Sequence, residues 1–187
     1  MKKLLLFLMI IIIAAPVITS CKKGEEDPFL SLKSRKARLV GEWKLVSGTE
    51  VTNSNGIVEQ IIYSGTTATQ TVGQVETNYV YLETVSFEKT NEFKMEVIHD
   101  GDIEIAEGFW AFMNGHDEIA NKECVVVRIA KIINGSNVTM YSRDYMPLEI
   151  IRLLKLSSKE VILESKGTEA WDGKTWSFTS TMTYEKM

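Results

Sequence analysis

The chain has 187 residues, 44% of them apolar and 9% aromatic, and a formal net charge of -4. That length suits one domain with a sizeable core. The mildly acidic balance, with a single short basic run at Lys33-Ser34-Arg35-Lys36-Ala37-Arg38, excludes nucleic acid as an expected partner.

In chain order, Lys2 and Lys3 form a positive start, and Leu4 to Ala15 is an apolar run of roughly a dozen residues, short of the ~20 that span a bilayer. Pro16 breaks any helix begun there. The following Ile18-Thr19-Ser20-Cys21 resembles the lipobox of bacterial lipoproteins, in which the cysteine thiol is lipidated and the preceding peptide bond is cut. The resemblance implies a cleaved signal peptide over residues 1–20, and a lipidated Cys21 with a polar tether over residues 21–27. An ordinary signal peptide with an incidental cysteine is the alternative. Two or more acyl chains would anchor the protein stably. Lys22-Lys23-Gly24-Glu25-Glu26-Asp27 is similar to the clusters that mark export to the outer face of the outer membrane. The implied address is therefore the outer membrane, lipid-anchored, on its periplasmic or cell-surface face. With Cys21 so used, Cys124 has no disulfide partner, and its apolar setting "ECVVVRI" reads as buried core.

Asp27-Pro28 pairs an N-cap residue with proline at the first helical position, which predicts one short helix before Gly41. Beyond it the period becomes two. Hairpin signals punctuate the chain at Asn55-Gly56, Asp100-Gly101, Asn114-Gly115, Asn134-Gly135 and Asp172-Gly173. Tyr79, Tyr81, Val85 and Phe87 share one parity, as do Phe93, Met95, Val97 and His99, and likewise Gly108, Trp110 and Phe112. Trp176, Phe178, Met182 and Tyr184 share one face of the last strand. The fold class expected is all-β: an antiparallel up-and-down meander of eight to ten strands, preceded by one short helix, over a single domain at residues 28–187. Its edges need closing, as a barrel or a rolled sandwich. "YSGTTATQTVGQVETN", Tyr63 to Asn78, reads as a loop.

Gly41-Glu42-Trp43-Lys44-Leu45 resembles the Gly-x-Trp signature of lipocalins. With "VSFEKTNEFKM", "AEGFWAF" and "IIRLLKLSSKEVILES" following in order, the chain resembles the lipocalin-like domain of bacterial lipoproteins from Leu39 to Glu164. The resemblance implies a closed barrel, with Gly41 and Trp43 at its base. Lipocalins usually lay a last-strand arginine over that tryptophan; here the last strand offers only Lys186. The resemblance also implies a small apolar ligand, for which Tyr79, Tyr81, Trp110, Phe112, Trp176 and Phe178 are the cavity candidates. Those rings filling a packed interior is the competing expectation.

Chemistry is sparse. No nucleophile elbow, phosphate loop or dinucleotide glycine pattern occurs, so no catalytic residue, cofactor or enzymatic activity is expected. His99 and His116, the latter beside Asp117 and Glu118, lack zinc-like spacing, and the run from Asp100 has Ile105 and Ala111 where a calcium loop needs glycine and glutamate. Glu83, Glu107 and Glu123 lie in apolar or aromatic stretches and read as outward strand charges, with carboxyls facing the barrel interior, their pKa raised by desolvation, as the alternative. The alternative function is a surface module with a packed barrel, contacting a protein or glycan through its loops.

Overall fold

The computed structural model describes residues 34–114, 123–171 and 174–187. Cys21, the boundaries within residues 1–27, the helix start at Asp27-Pro28, and His116 with its acidic neighbours lie outside the described residues. So do Gly115 and the Asp172-Gly173 pair. The described chain opens on helix α1 (Arg35–Leu39), where the Ser34 hydroxyl accepts the Ala37 N–H at 3.2 Å and caps the first turn.

Eleven strands follow: β1 (Gly41–Ser54), β2 (Ile57–Ser64), β3 (Thr67–Val72), β4 (Val75–Phe87), β5 (Glu92–His99), β6 (Asp102–Asn114), β7 (Glu123–Asn134), β8 (Asn137–Met140), β9 (Leu148–Leu156), β10 (Glu160–Trp171) and β11 (Lys174–Lys186). Every pairing is antiparallel, and all but β8 form a closed ten-stranded barrel, shut by β6 against β7. The all-β barrel with one short helix before it is the fold expected from the alternation.

Asn55-Gly56 and Asp100-Gly101 turn with φ of 53° and 87°, and 49° and 96°, the doubly positive pattern of a type I′ hairpin. Two expectations need correcting. Asn134 is the last residue of β7, and the turn is Gly135-Ser136, one residue later. The segment from Tyr63 to Asn78 is not a loop: Gly65 (φ 63°) and Gly73 (φ 61°) each start a two-residue turn, giving the β2–β3 and β3–β4 hairpins.

The barrel is not uniform along its axis. β1 pairs directly with β4 over Gly41–Lys44 but with β2 from Ser47 onward, so the β2–β3 hairpin is inserted only at one end. That insertion makes a narrow base and a wide half. At the base the inward side chains are large: Trp43, Leu45, Phe87, Phe93, Trp110, Leu156, Val161 and Tyr184 are all buried, with Leu39 of α1 against them. Arg38 of α1 donates to the Leu156 carbonyl at 2.7 Å, fixing the helix on the base. A lateral irregularity faces this order. β7 pairs with β9 over Cys124–Arg128 and with β8 over Lys131–Asn134, while β10 pairs with β9 only from Val161 to Ser165. Among the described residues, β10 beyond Ser165 therefore has β11 on one side and no strand on the other.

Candidate functional site

At the base, Trp43 Nε1–H donates to the Leu39 carbonyl at 2.7 Å, and the ring has no exposed surface. Lys186 Nζ stands 4.8 Å from its centroid and donates to the Val40 carbonyl at 2.6 Å and the Arg38 carbonyl at 3.2 Å. The lysine thus supplies the cation over the tryptophan and closes the end of the helix at once. Gly41 has φ 134°, and a Cβ there would run into the Lys186 side chain. Gly41 and Trp43 are therefore fitted to one another through Lys186.

The wide half contrasts with this base. It holds an open cavity of about 670 Å³, walled by Tyr63, Tyr81, Trp176 and Phe178 among its rings and by Met95, Met182 and Leu163 among its aliphatic groups, with Phe87, Phe93 and Tyr184 of the base as its floor. Small residues stand beside it, two of them making room for cavity-lining side chains. Gly48 lies against Met182, Gly167 lies under the Phe178 ring, and Ser165 and Ser180 face the same space. Pro147–Ile150 and the residues Ser165–Thr168, where β10 leaves its pairing with β9, both line the cavity.

Three carboxyls line the same cavity: Glu50 on β1, Glu83 on β4 and Glu149 on β9. Glu83 is 7% exposed, and its two oxygens accept the Tyr81 hydroxyl at 2.8 Å and the Tyr184 hydroxyl at 2.5 Å. Burial pushes its carboxyl above the usual carboxylate range, and the two phenol donors offset part of that rise. Glu50, half-buried, is raised first by desolvation and then by the like charges of Glu59 and Glu83; Glu149, exposed on β9, is raised by desolvation alone. Carboxyl, phenols and rings together make a partly polar floor under an apolar wall.

The six aromatic candidates separate by height in the barrel. Tyr81, Trp176 and Phe178 line the cavity, the last two 5.1 Å apart. Tyr79 stands by the rim against His99, 4.4 Å between centroids. Trp110 and Phe112 do not line it: Trp110 packs edge-on to Phe87 and Phe112 at the base, and its N–H donates to the Glu88 carbonyl at 3.1 Å.

Of the acids expected to face outward, Glu107 does, paired with Lys131 at 2.9 Å. Glu83 and Glu123 are buried instead; Glu123 forms an ion pair with Arg35 of α1. A usable signal for Glu83 was its parity, shared with Tyr81, Val85 and Phe87. Cys124 is a free, buried thiol whose pKa burial raises. Comparisons against protein-family models, curated proteins and solved structures return no match.

Proposed function

We propose that this chain is a lipid-anchored protein of the bacterial cell envelope, whose lipocalin-like barrel binds a small ligand with an apolar body in its wide half. The observation that carries the binding reading is the open cavity of about 670 Å³ above a packed base. A concave site of that size, with aromatic and aliphatic side chains interleaved with polar ones, is of the kind that takes up a small molecule. The anchor rests on the lipobox resemblance at Cys21, and the lipocalin likeness on the order of the Gly-x-Trp and later motifs. The missing strand pairing beside β10 beyond Ser165, among the described residues, is the route this reading assigns to an entering ligand.

The test is to purify the full chain from its native host and examine it by native mass spectrometry. A bound small molecule, released on unfolding, is the expected result. A chain that carries nothing and takes up no neutral apolar probe such as N-phenyl-1-naphthylamine contradicts it. For the anchor, Cys21→Ala should abolish incorporation of labelled palmitate, and undiminished labelling would rule the anchor out.

A further inference from the structure

The cavity's charge is unbalanced in a way that its apolar wall does not explain. Neither Glu50 nor Glu149 has an ion-pair or hydrogen-bond partner within the described chain, and Glu83 is met only by neutral phenols. The one basic residue of the lining is Lys166, and its ammonium pairs with Glu164 at 3.2 Å, together with Arg152 on the outer face of β9–β10. Among the described residues no cation therefore enters the cavity to meet Glu83, the one of the three carboxyls that is buried; Glu50 is half-buried and Glu149 exposed. A buried carboxyl without a counter-charge holds its proton instead of ionising, and a ligand cation placed against it supplies the charge that lets it ionise.

Two further observations narrow the ligand. Among the described residues no three carboxylate, imidazole or thiol groups stand close enough to hold a metal ion, so the carboxyls do not converge as an inorganic cation requires. The rings of Tyr63, Tyr81, Phe87, Phe93, Trp176 and Phe178 stand around the same space, and ring faces attract an organic cation as well as an apolar body. Glu83 has about four lone-pair positions, of which the two phenols use two, leaving acceptors for N–H donors.

Building on the proposed binding function, we infer that the ligand is an organic amine carried as its protonated form, its ammonium directed at Glu83 and its apolar body against the aromatic wall. Glu50 and Glu149 add field rather than direct bonds.

The test uses the full chain and three probes that share a body: 1-naphthylmethylammonium, 1-naphthylmethanol and 1-naphthoate, titrated by calorimetry at neutral pH. The expected order is ammonium over alcohol by at least ~10-fold, with the carboxylate weakest. Glu83→Gln should bring the ammonium to within a few fold of the alcohol. If that variant does not fold, Glu50→Gln with Glu149→Gln should narrow the same ratio, because neither side chain has a partner among the described residues. Equal binding of ammonium and alcohol, or a ratio indifferent to these variants, overturns the amine while leaving the cavity as a site. Failure of all three probes to bind overturns the cavity reading as well.

Discussion

The base and the wide half of the barrel are built from the same strands, yet their inward residues differ in kind. At the base, Trp43, Phe87, Phe93, Trp110 and Tyr184 meet across a ring narrowed by the direct β1–β4 pairing. In the wide half, the β2–β3 hairpin spreads the ring, and Gly48, Ser165, Gly167 and Ser180 replace large groups facing inward. The difference teaches that stability and binding are separable here along one axis. The base supplies the close-packed apolar contacts that fold the chain, and the wide half gives up packing to leave room.

The separation can be broken most severely at Trp43. Trp43→Ala removes a fully buried ring and leaves a cavity, and should cost about 3–5 kcal/mol in denaturant unfolding. Next comes Gly108→Ala, where an added Cβ would overlap the Arg128 carbonyl across the β6–β7 pair. Backbone has to move to admit it, so a loss of ~2–3 kcal/mol by the same measurement is expected. Lys186→Met removes the cation over Trp43 and two hydrogen bonds to carbonyls while keeping length. It should cost about 1–2 kcal/mol.

Changes in the wide half should move stability less and binding more. Glu83 sharpens the contrast through pH. Its carboxyl is raised in the folded state, so the folded protein holds that proton more tightly than the unfolded chain. The stability it contributes is present below the ordinary carboxylate value and is lost as pH rises through the raised value. The stability of the ligand-free protein relative to Glu83→Gln should therefore improve as pH falls from neutral toward the ordinary carboxylate value near 4.5. A difference that stays flat with pH would show that Glu83 is not desolvated. The smallest stability effect belongs to Trp176→Ala: that ring is 38% exposed at the cavity wall, so unfolding should change by under ~1 kcal/mol while probe affinity falls several-fold.

Which face a strand residue takes was legible in the chain, and its height in the barrel was not. Alternation placed Tyr81 and Phe178 inside along with Trp110 and Phe112, but only the closure of the base separates the first pair from the second. Glu83 shares that alternation, yet its charge outweighs its parity and reads as facing outward, whereas the fold buries it. Glu50 was not legible, because the irregularity between Leu45 and Ser47 shifts the parity of β1, putting Glu50 out of step with Trp43. The I′ turns at Asn55 and Asp100 announced themselves through paired positive-φ residues. Gly65-Thr66 and Gly73-Gln74 carry only a leading glycine among threonines, so the hairpin that widens the barrel read as a loop. The width of the upper half, and hence the cavity, depends on that hairpin.

The most direct test of the account is a crystal structure of the chain purified from its native host, resolving the interior of the wide half. The expected result is non-protein density against Tyr63, Tyr81 and Phe178, with a hydrogen-bond donor near Glu83. A wide half in which Trp176, Phe178 and Met182 have collapsed inward and filled the space would contradict it.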